Sequence, residues 1–416
     1  MKYILMALLV TINIFAVDAT LKIRKDVEQR AKISLVDSSQ GVSVALNQKF
    51  FSILLADLKI SGHFIADTKH HKESSYNALV APQLKSGEYL LKYRLTQGAG
   101  IKVDITLISA RDGRTLATKD YRISSASKYP FLAHKVVSYI NNTLQYPDIS
   151  WINRYVVFSR YTTAKRSEIV LADYTMNFKK IVIRGGLNLF PKWADKNQRS
   201  FYYTSFSGAK PTLYRLNIYN GSKSKITSSQ GMLVCSDVSS SGGKILVTMA
   251  PHAQPDIYEM SANGGSPKRV TTFSGIDVSA KYIGSEGAIA FVSNRMGYPN
   301  IYKKAIYGSA VSQVVFRGKN NNALDTHKNS IVYSSRESHK RYGQNSFNLY
   351  LTQTDDSSTR PLTSRGVNQF PRFSMDGSTI LYIKQYQNRS SIGYINLRSN
   401  QNLLFPLGEK VQSIDW

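Results

Sequence analysis

The stretch GVNQFPRFSMDG, residues 366–377, has a near copy in the same chain, GLNLFPKWADKN at 186–197. Both read Gly-x-Asn-x-Phe-Pro-x-aromatic-small, a match long enough to imply duplication and to make internal periodicity the first question. From residue 151 onward a short apolar strand with a central aromatic or branched residue returns as EIVLAD, TLYRLN, DIYEMS, NIYKKA, NLYLTQ and IGYINL. The aligned positions are Val170, Tyr214, Tyr258, Tyr302, Tyr350 and Tyr394, spaced 44, 44, 44, 48 and 44 residues apart.

Each unit divides into four strands, with alternation near two and no amphipathic helix. In the last unit QFPRFS is the first strand, TILYIK the second, IGYINL the third and LLFPL the fourth. Asp376-Gly377 joins the first strand to the second as a tight hairpin whose central residues need positive φ, and Asn220-Gly221 and Asn263-Gly264-Gly265 make similar turns between third and fourth. A glycine heads the units at Gly186, Gly231, Gly275, Gly318 and Gly366, and the seventh residue after each is Trp193, Val238, Tyr282, Asp325 and Phe373 in turn. These are five heads for six third strands. The region begins abruptly at NRYVVFSR, which corresponds to a second strand, and ends in VQSIDW, which resembles a spare first strand. A C-terminal strand at 411–416 that pairs with the first unit would close a ring and remove its open sheet edges. The expected fold is therefore mainly β, a six-bladed β-propeller over residues 151–416.

Residues 20–148 lack the period. LNQKFFSILLADLKISG patterns as a helix with Phe50, Leu54, Leu55 and Leu58 near one face, and YLLKYRLTQGAGIKVDITLISARDGRTLATKDYRI as strands with turns at GAG and RDGR. YPFLAHKVVSYINNTL reads as a closing helix and QYPDIS as the linker, so a small α+β domain precedes the propeller.

The first nineteen residues, MKYILMALLVTINIFAVDA, carry Lys2, an apolar run and Val17-Asp18-Ala19, the pattern of a secretory signal cleaved after Ala19. The run falls short of the roughly 20 apolar residues of a spanning helix. No cysteine follows it, and Cys235 is the only one in the chain, so lipid attachment and an intramolecular disulfide are both excluded. The net charge of +27 survives signal removal, because Lys2 and Asp18 leave together, and it favours anionic surfaces. No zinc finger, RNP or basic-helix signature points to nucleic acid. For an exported chain, acidic envelope components or an acidic protein face fit better.

Catalytic chemistry finds no support in the motifs. There is no Gly-x-Ser-x-Gly elbow and no His-Glu-x-x-His, and a single cysteine rules out Cys-x-x-Cys. His70-His71 sits in HHKESS, which reads as a solvated loop before it reads as a metal site, and Asp355-Asp356 in TDDSST lacks the spacing of a calcium loop. The recurrent tyrosines read as packing core. No enzyme activity, cofactor or metal is expected. In an antiparallel four-stranded unit, the loops between units and those joining second to third strands share one face. The second-to-third loops hold Arg160, Lys165, Arg166, Lys210, Arg295, Arg336, Lys340, Arg341, Lys384 and Arg389 against Glu337 alone, while the third-to-fourth turns carry Asp173, Asp355 and Asp356. A basic rim is thus expected around the channel mouth, a geometry suited to binding a protein or peptide.

A signal, a small α+β domain and repeats of 44 residues in that order resemble the TolB family, the periplasmic propellers of the Tol-Pal system, over essentially the whole chain. The family's blade motif, roughly Pro-x-Trp-Ser-Pro-Asp-Gly, is matched by PRFSMDG at 371–377, partly by PKWADKN at 191–197, and decays to DVSSSGG and AKYIGSEG elsewhere. LLADLKISGHF at 54–64 is similar to the family's Ala-Asp-Leu-x-x-Ser-Gly-x-Phe stretch, and YPFLAHKVVSYI to its helix with an Ala-His pair, which places His134 there. The resemblance implies a monomeric, non-enzymatic adaptor. It implies binding of Pal, the peptidoglycan-associated lipoprotein, through the loops between units: Asn188 and Leu189, Met232 and Leu233, Ile276 and Asp277, Asn321 and Asn322, Asn368 and Gln369. It also implies binding of the inner-membrane protein TolA through a flexible mature N-terminus at 20–28, led by Thr20, Leu21, Lys22, Ile23 and Arg24. The alternative from the residues themselves is a propeller that binds an anionic glycan or peptidoglycan fragment directly.

Overall fold

The computed structural model describes residues 30–77, 84, 86–337, 346–356 and 358–416, and the chain divides between Ile149 and Ser150 into two compact units. In the first, helix α1 (Val44–Ser61) starts at Ser43, whose hydroxyl accepts the Leu46 N–H at 3.2 Å, and stops at Gly62 with φ +76°. Its Phe50, Leu54 and Leu58 are buried, and it packs on α2 (Tyr129–Thr143), which has Pro130 in its first turn. His134 Nδ1 lies 2.9 Å from the Asp57 carboxylate, both side chains fully shielded, and this bond pins the two helices together.

The sheet of this unit runs in the order Phe64–Ala66, Ala31–Asp37, Tyr89–Gln97, Ile101–Ser109, Thr115–Ile123. The last three form the meander that the sequence pattern implies. Ala31–Asp37 was not anticipated: its partners on either side are parallel and distant in sequence, so no hairpin turn announces it. His71-Lys72 also pairs with this strand, which corrects the solvated-loop reading of HHKESS. His70 Nε2 sits 2.9 Å from Asp37 Oδ2 with its ring stacked on Phe51 at 4.1 Å, and His71 Nε2 is 2.7 Å from Asp67 Oδ2. Among the described residues no group of three or more His, Cys, Asp or Glu is placed to hold a metal ion, and no helix is long and apolar enough to cross a membrane.

The second unit is built of antiparallel ladders in which four strands pair in chain order. Asn188–Trp193, Ser200–Ser205, Thr212–Asn217 and Lys223–Ser228 form one; the ladders beginning at Asn321–His327 and Val367–Phe373 join through a single parallel bridge, Phe347 to Val367. The C-terminal strand Val411–Asp415 pairs with Val156–Thr163 and supplies the first strand of the remaining ladder. Apolar clusters span successive ladders. Tyr202 and Leu213 of one pack on Leu233, Cys235, Ile245 and Val247 of the next. Tyr302 and Tyr350 belong to such clusters, Tyr394 is fully buried, and Tyr214 and Tyr258 pack against the cluster edges.

The Asp376-Gly377 turn differs from the tight hairpin expected, since only Gly377 has positive φ, +74°. Gly377 N–H donates to the Ser374 carbonyl at 2.9 Å and Ser374 Oγ to Asp376 Oδ1 at 2.5 Å, a longer loop with one left-handed residue at its end. A Cβ there would also fall 2.5 Å from the His327 ring.

Candidate functional site

The first strands of the ladders surround one axial channel, since all of them contribute residues to the same cavity. Every one carries a one-residue bulge, between Leu189 and Lys192, Cys235 and Asp237, Val278 and Lys281, Asn322 and Asp325, Gln369 and Arg372, or Val411 and Ser413. Such bulges bend a strand and re-aim the side chains that follow. Phe190, Ser279, Ala323 and Phe370 occupy them at φ between +48° and +59°.

The residues just past five of the bulges are Lys192, Asp237, Lys281, Asp325 and Arg372, and Asp415 takes the corresponding place in the C-terminal strand two residues beyond its bulge, so that the six alternate in sign around the channel. Lys192 Nζ lies 3.1 Å from Asp415 and 3.6 Å from Asp237; Lys281 Nζ lies 2.9 Å from Asp325 and 3.7 Å from Asp237; Arg372 Nε lies 3.7 Å from Asp415. Each acid also accepts a backbone N–H from the inner strand of another ladder: Asp237 from Tyr282 at 3.0 Å, Asp325 from Phe373 at 2.9 Å and Asp415 from Trp193 at 2.8 Å. Burial alone would raise the Asp325 carboxyl, but Lys281, Arg372 and Lys192 outweigh it and hold it down at about 2. Burial likewise works against the Lys192 ammonium, and Asp415, Asp237 and Asp325 together reverse that and raise it. Asp325 therefore aligns with these charges and not, as head-to-residue counting implied, with Trp193, Val238, Tyr282 and Phe373. Thr326 takes that place, opposite Ile331 as Phe373 is opposite Ile380.

Most of the expected partner-facing side chains are turned inward. Asn188, Leu189, Leu233, Asp277, Asn321 and Asn368 are buried. The asparagines tie down the loops that precede them: Asn188 Nδ2 donates to Gly185 O at 2.6 Å, Asn321 Nδ2 to Arg317 O at 2.8 Å and Asn368 Nδ2 to Arg365 O at 3.0 Å. Asp277 accepts both of its contacts with Arg295 Nη2, at 3.2 and 3.3 Å, and that guanidinium lies over the Tyr302 ring at 4.9 Å. Arg295 is thus spent inside the molecule, as is Arg160, which is paired with Glu168 and Glu409. Asp173 is buried too, capping the Thr175 and Phe178 N–H groups. Lys165, Arg166, Lys210 and Arg389 remain exposed cations, Asn322 and Gln369 are half-buried, and Met232 and Ile276 are 41% and 46% exposed. Lys340, Arg341 and the segment Thr20, Leu21, Lys22, Ile23 and Arg24 lie outside the described residues.

The same face carries exposed apolar side chains that the charge pattern does not display. Met296, Tyr298 and Phe316 are 68%, 44% and 71% exposed on neighbouring loops. Asn294 and Ile276 bond to each other, the Asn321 N–H donates to Pro299 O at 2.9 Å, and Lys319 Nζ lies 5.3 Å over the Tyr298 ring, so Ile276, Tyr298 and Lys319 form one neighbourhood. An apolar patch rimmed by cations suits a protein partner with an acidic margin.

Comparison with known proteins places the chain in a family. The family model described as the TolB beta propeller domain matches residues 150–416. The chain is 43% identical to the Tol-Pal system protein TolB of Wolinella succinogenes over 412 residues, 97% of each chain. It is 37% identical to the protein of the same name from Helicobacter hepaticus over the full length of both. A crystal structure of TolB from Acinetobacter baumannii, 22% identical, superposes with a TM-score of 0.76 over 93% of this chain and 97% of that one, which shows a shared fold. The chain belongs to the family of the Tol-Pal system protein TolB.

Proposed function

We propose that the chain is a non-enzymatic, six-bladed adaptor of the Tol-Pal system in the periplasm, exported with cleavage after Ala19. Its mouth face takes a Pal-type lipoprotein, and its mature N-terminus, from Thr20 to Arg24, takes a TolA-type protein. Such bridging serves outer-membrane integrity and envelope constriction at division. The observation that supports this reading is that Ile276, Met296, Tyr298 and Phe316 are all exposed on loops of one face, with Lys319 over the Tyr298 ring. Large apolar side chains grouped on a loop face are anchors for a protein and of little use to a charged glycan. Titration of the mature chain with the soluble domain of its Pal-type lipoprotein should give one-to-one binding, about tenfold weaker or more in Phe316→Ser and Ile276→Ser at unchanged melting temperature. Undiminished binding in both variants would overturn the mouth face as the docking surface. Retention by protein-free peptidoglycan with no binding to the lipoprotein would favour the glycan reading instead. Removal of residues 20–24 should abolish TolA-type binding alone.

A further inference from the structure

The alternating belt is polarised along the channel. Its acids, Asp237, Asp325 and Asp415, line a cavity of about 510 Å³ on the side of the first-to-second-strand turns, which Lys192 also borders. Its cations, Lys192, Lys281 and Arg372, line a smaller cavity of about 110 Å³ on the bulge side, among Phe190, Ser279 and Phe370, with none of those acids in its wall.

Two donors in this smaller cavity are left over. Lys281 is 2% exposed, and although its Nζ lies 2.9 Å from Asp325 Oδ1 the approach is not aligned as a hydrogen bond. Lys281 Nζ and Arg372 Nε are shielded from water without a hydrogen-bond acceptor among the described residues. Each of the belt's acids is anchored through one oxygen on a backbone N–H at 2.8–3.0 Å, which holds it on the side of the larger cavity. Burial lowers the Lys281 ammonium; Asp325 and Asp237 pull it up, while Lys192 and Arg372 push it further down, and the net direction is down. A buried donor without an acceptor is costly even where its charge is matched, and a small anion in the cavity would accept from the donors left over.

We propose that the cavity on the bulge side is a binding site for one small oxyanion, held by Lys281, Arg372 and Lys192. A water occupies roughly 30 Å³ of liquid, so the space holds a phosphate-type ion or a carboxylate and excludes a sugar chain. None of Ile276, Met296, Tyr298 and Phe316 borders the site, and of the expected partner-facing residues only Met232 does.

The probes are inorganic phosphate and acetate, titrated into the full mature chain at constant ionic strength. Saturable binding of at least one is expected, with amide shifts concentrated at Ser279–Lys281 and Phe370–Arg372; tighter phosphate points to a free tetrahedral ion and tighter acetate to a carboxylate. Lys281→Met should weaken the preferred anion about tenfold or more, and Lys328→Met, on an exposed turn, should leave it unchanged. Val234→Phe keeps every charge and narrows the cavity, so it should abolish binding even if Lys281→Met does not fold. The proposal falls if neither anion saturates, if the shifts map elsewhere, or if affinity survives in Lys281→Met or Val234→Phe.

Discussion

Asp325 joins two tasks in one side chain: it balances Lys281 across the channel belt and holds the Phe373 N–H of another inner strand. Its carboxyl sits at about 2 in the folded protein against an ordinary 3.8. That stabilisation is fully present above pH 4 and disappears as pH falls through about 2. Asp325→Asn should therefore cost about 2 kcal/mol at neutral pH, and acid titration of both melting temperatures should bring the two proteins together below pH 4. A gap that persists to pH 2 would show that the loss is steric. His134 makes a contrasting case. Replacing it with Ala removes a bond to a carboxylate fully shielded from water, and denaturant melts should report a loss of about 3 kcal/mol in the first unit. The sequence shows a charge before each inner-strand aromatic, as in Lys192-Trp193, Lys281-Tyr282, Arg372-Phe373 and Asp415-Trp416. Aligning the repeats on their glycines hid Asp325, because Gly318 stands one residue further from its strand position than the other heads do. The bulges themselves leave no such trace: Phe, Ser and Ala are not residues that advertise positive φ.

Among the elements, the C-terminal strand does the most with the least length. Val411–Asp415 completes a ladder, Asp415 serves Lys192 and the Trp193 N–H, and Trp416 Nε1 donates to Phe373 O at 2.7 Å. The Trp416 ring also meets Trp151 at 5.0 Å and Tyr394 at 5.5 Å. Deleting residues 411–416 should lower the melting temperature by many degrees, and Trp416→Ala alone should cost about 3 kcal/mol; an unchanged melt for the deletion would mean that the strand is dispensable. This pairing could be anticipated because a spare first strand and an orphan second strand are complementary deficits. Ala31–Asp37 could not, since a parallel strand between distant partners has neither a turn signature nor a repeat to betray it. The Asp376-Gly377 hairpin was legible in place but not in form, because Ser374 and Asp376 side chains lengthen it in a way the dipeptide does not encode.

At the scale of the whole molecule, the proposed docking divides into an approach steered by a net charge of +27 and a hold supplied by the mouth patch. The sequence displayed the first plainly. It concealed the second, because Ile276, Tyr298 and Phe316 belong to separate loops and look like isolated surface hydrophobes until the ladders bring the loops together. It also overstated the rim, since Arg160 and Arg295 read as free cations while their acidic partners stand elsewhere in the chain. The exposed Lys165 and Lys210 are the better levers on long-range attraction. Reversing both to Glu should slow association with an acidic partner several-fold in low salt, with the dissociation rate nearly unchanged, because neither residue need lie in the contact to contribute to the field. The difference should close near 1 M salt, where the screening length falls to about 3 Å. Phe316→Ser should do the opposite, raising the dissociation rate at every salt concentration. Stopped-flow association and dissociation measured across a salt series would separate the two, and equal rates for the Lys165 and Lys210 variant at low salt would show that the charge of this face does not steer the encounter.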